Sequence, residues 1–201
     1  MNAQTDNGSR LEADWIYQNF NQAKEANMAT SILVTYASSY GSTQEVAEDI
    51  AATLRAQGVE IDLRPIREVR TLTGYSAVVL GAPLYMFRWH KDAHHFLERF
   101  QRELTNGLPS AIFAGGPIGD SDEKAWQEIR GNLDRELAKH PWLSPVSVQL
   151  IGGKFDPAKL RLPYSLLPAL RKMPASDLRD WKAIRAWASA LPEKFQLVNA
   201  V

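Results

Sequence analysis

The 201-residue chain is long enough for one full α/β domain and too short for two large ones. It has no cysteine, which excludes disulfides, thiolate metal sites, iron–sulfur clusters and cysteine nucleophiles. Lysine and arginine together number 23, as do aspartate and glutamate, so the neutral chain carries no general footprint for nucleic acid.

Residues 1–27 are polar and show no clear core pattern, although Trp15, Ile16 and Phe20 have the spacing of a short amphipathic helix. Two readings of this stretch stay open. Met28 stands just ahead of the first strand as a candidate start, which would make residues 1–30 an upstream extension or a mobile arm; alternatively the stretch is an ordered helix packed on the domain at 31–195. The N-terminus lacks the basic-then-apolar pattern of a signal peptide. No apolar run reaches the roughly 18 residues of a membrane span. A cytoplasmic protein is the expectation.

The first strong element is Ser31–Tyr36, a short apolar run of β-formers, as expected of a strand covered on both faces. A hydroxyl-rich turn follows, and from Val46 the apolar residues Val46, Ala47, Ile50, Ala51 and Leu54 recur at helical spacing. The helix is predicted over Thr43–Gln57, with Gly58 ending it. Val59, Ile61 and Leu63 alternate with polar residues up to Pro65, a strand with one more exposed face. Val69 and Leu72 suggest a short helix or turn. Ala77–Gly81 is a second buried strand, and Ala82–Trp89 reads as a loop.

Phe96, Phe100 and Leu104 set a helix over Lys91–Leu104. Ala111–Ala114 is a further buried strand, followed by the loop Gly115–Asp120. Asp122–His140 is a helix with Trp126, Ile129, Leu133 and Leu137 on one stripe. Val146, Val148 and Leu150 give a fifth strand, closed by Gly152 and Gly153. Pro157, Pro163, Pro168 and Pro174 forbid one long helix over Asp156–Ala175. Asp180–Leu191 closes the domain as a helix with Trp181, Ile184, Ala188 and Leu191 on one face.

Alternating strands and helices imply a doubly wound parallel sheet with helices on both faces, and five such strands suggest the order 2-1-3-4-5. Ligands bind such sheets outside the carboxyl ends of the strands, at the switch point between the first and third. Three loops meet there: Ala37–Thr43, Ala82–Trp89 and Ala114–Asp120. The first, with Ser38, Ser39, Gly41, Ser42 and Thr43 ahead of a helix N-terminus, is a site for a phosphate held by neutral donors. It lacks Gly-x-x-x-x-Gly-Lys-Ser/Thr and Gly-x-Gly-x-x-Gly, which argues against a nucleoside triphosphate and a dinucleotide. Asp62 lies where a ribose-binding acid could fall, but a solvated strand residue is the better reading. The serines have no His/Asp partner pattern, so hydrolase chemistry is unsupported.

Ser38-Ser39-Tyr40-Gly41-Ser42-Thr43 resembles the FMN-phosphate loop of flavodoxins, departing from it at Tyr40, where threonine is usual. Val78–Tyr85 and Asp180–Ala188 are similar to the second loop and terminal helix of one flavodoxin-domain branch, which includes the menaquinone-dependent protoporphyrinogen IX dehydrogenases. The resemblance covers residues 31–191. It implies a flavodoxin-like three-layer fold that binds FMN, with the isoalloxazine ring between the second and third loops. Pro83, Leu84, Tyr85 and Met86 are then the second-loop contacts, with Tyr85 as the stacking aromatic and Phe87 and Trp89 as nearby substitutes. Gly115, Gly116 and Pro117 form the third, offering backbone groups and no aromatic; the alternative is that these glycines only turn the chain.

The function so implied is an FMN-dependent oxidoreductase, protoporphyrinogen IX dehydrogenase-like, that serves heme biosynthesis with a quinone acceptor. The alternative is a non-enzymatic electron carrier, although such flavodoxins are strongly acidic and this chain is neutral. An FMN-binding scaffold is a third. His90, His94 and His95 have no third ligand at suggestive spacing, so exposed helix residues are the expectation rather than a metal site. Arg88 and His90 stand where an acidic substrate would approach the cleft rim. The basic and apolar segment 160–173 has the composition of a peripheral contact with a membrane surface, against the plainer reading of a loop packed on the sheet.

Overall fold

The computed structural model describes residues 15, 31–118, 122–160, 162 and 164–197. The expectations for residues 1–30, apart from exposed Trp15, lie outside the described residues, as do Gly119, Asp120, Arg161 and Pro163.

Five strands form one parallel sheet: β1 (Ile32–Tyr36), β2 (Ile61–Pro65), β3 (Ala77–Ala82), β6 (Ser110–Gly115) and β7 (Ser147–Ile151), in the spatial order β2-β1-β3-β6-β7. This is the predicted 2-1-3-4-5 arrangement once the short strands outside the sheet are set aside. Every residue of β1 and β3 is buried, because both lie inside the sheet with helices above and below. Side chains alternate between two cores. Ile32, Val34, Tyr36 and Phe113 pack with α1 (Ser42–Arg55) and α6 (Trp181–Ser189) on one face. Leu33, Leu80 and Ile112 pack on the other face with Phe96 and Leu97 of α2 (Lys91–Arg99) and Leu133 of α4 (Glu123–Leu137).

Three differences from the sequence expectations have physical causes. The loop Ala82–Trp89 contains a hairpin, β4 (Leu84–Tyr85) against β5 (Arg88–Trp89). Its turn places Met86 at φ 48° and Phe87 at φ 64°, the double left-handed geometry usually given to Asn-Gly. The helix predicted over Lys91–Leu104 breaks at Phe100, whose φ −109° and ψ 20° separate α2 from the short α3 (Gln101–Thr105). The buried face of α4 is polar as well as apolar, with Asn132 and Glu136 flanking Leu133.

Beyond β7 the chain forms β8 (Lys154–Phe155), the helix α5 (Pro168–Lys172) and β9 (Ser176–Asp177), with β8 and β9 paired antiparallel. A last short helix, α7 (Leu191–Lys194), follows α6. No helix among the described residues is long and apolar enough to cross a membrane.

Candidate functional site

The switch point between β1 and β3 is built as the topology requires. Ala37 N–H donates to Gly81 O at 2.9 Å, tying the start of the first loop to the end of β3. Ser38 Oγ accepts from Gly41 N–H at 3.0 Å and closes the loop on itself. Gly41 has φ 87°, and a Cβ added there would meet nothing within 4 Å, so open space faces the turn.

Gly41 is also the N-cap of α1, and it offers no side chain to cap the helix. The helices α2, α4 and α6 are each capped by a side chain, from His90, Asp122 and Asp180. The first-turn amides of α1 therefore keep their donors for another acceptor, beside the hydroxyls of Ser42 and buried Thr43. Such a cradle fits a phosphate.

The three loops converge as expected. Tyr40 and Tyr85 meet edge to face with ring centroids 6.1 Å apart, so the aromatic at the atypical position 40 braces the second loop. Tyr85 in turn lies 6.2 Å from the His90 ring. Pro83 is buried, Leu84 and Tyr85 are half-buried, and Met86 and Phe87 are exposed at the hairpin tip. Gly115 approaches Pro83, since an added Cβ would stand 3.5 Å from Pro83 Cα. Gly116 and Gly153 are glycines for lack of room: a Cβ would come within 2.3 Å of Ile151 O at Gly116 and 2.5 Å of Ile118 at Gly153. Pro117 O accepts from Gly153 N–H at 2.8 Å, which pins the third loop to the turn after β7. A cleft of about 520 Å³ opens on the β2 side of the first loop, lined by Ser38, Ser39, Tyr40, Arg67, His90 and Asp92 among others.

Several sequence expectations land elsewhere. Asp62 pairs in register with Leu33, short of the strand's carboxyl end, and accepts from Arg64 and Tyr75. It is a structural acid, not a ribose ligand. The histidines are not all exposed helix surface. His95 is exposed, but His90 is the half-buried cap of α2, its Nδ1 accepting from Asp92 N–H at 3.2 Å. His94 lies 2.9 Å from Glu136 Oε2 through Nε2 and 2.8 Å from His140 Nε2 through Nδ1. Lys139 donates to Glu136 Oε1 at 2.6 Å. Arg88 is exposed on β5.

Burial, with the neighbouring His94 second, holds the His140 imidazole below its ordinary value. The unfolded chain takes that proton near pH 6.5, the folded chain only at lower pH. Its contribution to stability is thus complete above about pH 6.5 and is lost as pH falls toward the folded value. The melting temperature should drop between pH 7.5 and 5.5, and drop less in His140→Gln; an unchanged slope in the variant would remove this account. The remainder of the slope has a source in His90, which burial also holds low.

A second polar cluster escaped the sequence reading because its members are far apart in the chain. Arg179, whose side chain is only 2% exposed, donates through Nη1 to Glu45 Oε2 at 2.8 Å and to Ser42 O at 3.3 Å. Its Nε and Nη2 grip Asp177 at 2.8 and 2.6 Å, a bidentate pair. Lys154 Nζ holds Glu45 at 3.0 and 3.2 Å. The hydrogen bond from Arg179 holds the Asp177 carboxyl below the usual range. Burial alone would raise Glu45, but hydrogen bonds from Lys154 and Arg179 outweigh it and leave it lowered.

The chain matches the flavodoxin domain family over residues 33–163, more than half its length. Over 112 residues it is 22% identical to protoporphyrinogen IX dehydrogenase (quinone) of Escherichia coli (strain K12), covering 55% of this chain and 61% of that protein. Over 91 residues it is 32% identical to probable flavodoxin 1 of Bacillus subtilis (strain 168), covering 42% and 55%. The chain thus spans less than two thirds of the length of these relatives. Among solved structures, a flavo di-iron protein from Thermotoga maritima shares the fold with a TM-score of 0.53 at 14% identity, over 85% of this chain and 38% of that one. Rubredoxin oxygen:oxidoreductase from Desulfovibrio gigas does so with a TM-score of 0.51 at 15% identity, over 86% and 37%. An uncapped helix behind a glycine turn and three converging loops fit the cofactor that this family carries. The chain belongs to the flavodoxin domain family, and its cofactor is FMN.

Proposed function

We propose that residues 31–195 form an FMN-dependent oxidoreductase domain that draws electrons from a porphyrinogen-type substrate and passes them to a quinone. The observation that carries this reading is the second loop. It presents Met86 and Phe87, 71% and 54% exposed, beside the place for the flavin, where an apolar small molecule could dock. The third loop adds no aromatic at positions 115–117, leaving one flavin face for a substrate. Each turnover would take two electrons and two protons from the porphyrinogen and leave the quinone as quinol. FMN supplies the redox chemistry; the protein binds and orients it. Ser38, Ser39, Tyr40, Gly41, Ser42 and Thr43 hold the phosphate, while Pro83, Leu84, Tyr85, Met86, Gly115, Gly116 and Pro117 line the ring. Exposed Leu162, Leu166 and Leu167, with Arg171 and Lys172 nearby, suit a peripheral contact with an anionic lipid surface, where a quinone is held.

The second reading, a flavodoxin-type electron carrier without an enzymatic substrate, is favoured by the 32% identity to probable flavodoxin 1. One experiment separates them. FMN-loaded protein is mixed anaerobically with protoporphyrinogen and a menaquinone analogue in anionic vesicles. Porphyrin formation that depends on both flavin and quinone is expected. Flavin that is reduced and reoxidised chemically, with no porphyrin formed, would leave the carrier.

A further inference from the structure

We propose that Arg179 is a positioning residue for the cofactor phosphate, acting with Lys154 to neutralise Glu45 in the first turn of α1. The inference rests on the reading of residues 38–43 as the phosphate loop, and it reaches beyond that loop to a segment more than a hundred residues away in the chain.

The problem it addresses is electrostatic. Glu45 sits in the first turn of the helix whose N-terminus takes the phosphate. A carboxylate there suits the helix dipole in the free chain, but it opposes a dianion arriving at the same turn. The loop itself contains no lysine or arginine to offset it. Compensation comes from the far side. Lys154 and Asp177 are cross-strand partners in the β8–β9 pair, and Arg179 lies two residues beyond the end of β9. The pair delivers two cations to Glu45, Arg179 Nη1 at 2.8 Å and Lys154 Nζ at 3.0 Å. Arg179 stacks over Trp181 at 4.5 Å and is gripped by Asp177, so its direction is fixed. The same Nη1 bonds the carbonyl of Ser42, the first residue of α1, which fixes the backbone that presents the first-turn amides.

Glu45, Asp177, Lys154 and Arg179 sum to zero charge. The cluster is therefore a charge balance with a readable sign. Removing Arg179 leaves a net negative group behind the cradle, and removing the Glu45 charge leaves a net positive one. A purely structural role predicts otherwise, since either change would loosen the loop.

The test compares the affinities of the apoprotein for FMN and for riboflavin, which lacks the phosphate, by flavin-fluorescence titration. Glu45→Gln, a change at a side chain 40% exposed, should raise the FMN-to-riboflavin affinity ratio about threefold to tenfold, with the gain shrinking as salt is added. Arg179→Met should lower the ratio at least about tenfold, and Arg179→Lys less. If Arg179→Met does not fold, Lys154→Met at a half-buried site reads the same sign. A Glu45→Gln ratio that is unchanged or lower overturns the inference. A wild-type chain that binds riboflavin as tightly as FMN overturns instead the reading of residues 38–43 on which it stands.

Discussion

A Gly81→Ala chain is expected to lose about 3 kcal/mol of stability, a large effect for one methyl group. Gly81 stands directly opposite Phe113 in the β3–β6 register, and the ring lies across it. An added Cβ would come within 1.9 Å of Phe113 Cζ and 2.3 Å of Cε1. The ring is fully buried and meets Trp187 edge on at 6.3 Å, so it has no free direction in which to retreat. The clash also reaches the candidate site, because Gly81 O holds Ala37 N–H at the entrance to the first loop, the proposed phosphate cradle. Urea unfolding should show the loss as a lower midpoint with an unchanged slope. Phe113→Leu in the same chain should recover part of it, with a coupling of about 1 kcal/mol or more between the two sites. A Gly81→Ala loss under about 1 kcal/mol, or strict additivity, would mean that the sheet yields there.

Ser42→Ala combined with Thr43→Val should weaken FMN binding about a hundredfold while changing riboflavin binding by less than about threefold. Hydrogen bonds to a charged acceptor contribute about 1.5–3 kcal/mol each, and tenfold in affinity corresponds to about 1.4 kcal/mol. Both residues lie in the first turn of α1, where no side chain caps the helix. Ser39→Ala, at an exposed position, should cost far less. An equal loss for riboflavin would show that the variants disturb the ring site or the fold rather than the phosphate cradle. Far-ultraviolet circular dichroism of the free chain separates those two outcomes.

The fold was legible because its signals are local and repeated. Buried runs such as Ile32–Tyr36 and Ala77–Ala82 are short, rich in β-formers and separated by helical periods, and those alone lead to the parallel sheet. The first loop was legible because a hydroxyl-rich turn between strand and helix is contiguous in sequence. The hairpin was not. Its strands are two residues each, and its turn residues, Met86 and Phe87, are among the least expected at positive φ. Glu136 and His140 escaped because a periodicity argument counts acids and histidines as surface; here they are buried by bonding to each other's neighbour, His94. The Arg179 cluster joins positions 45, 154, 177 and 179, and no window of sequence contains them together. Trp181, on the apolar face of α6 as its spacing predicts, packs half-buried against the core beneath the Arg179 guanidinium.

The pairing of β8 with β9 has an architectural consequence. Lys154 faces Asp177 and Phe155 faces Ser176, so the stretch between them begins and ends at one closed neck, and Leu162 within it lines the cleft beside Ser38, Tyr40 and His90. Such a neck sets only a weak constraint on the length of what lies beyond it. Doubling its length would add only about 0.6 kcal/mol of closure entropy, and shortening it would remove as little. Evolution can therefore lengthen, trim or re-dress residues 156–175 without renegotiating the five-stranded core. The Arg179 bond to Ser42 sits at the base of the neck, outside residues 156–175.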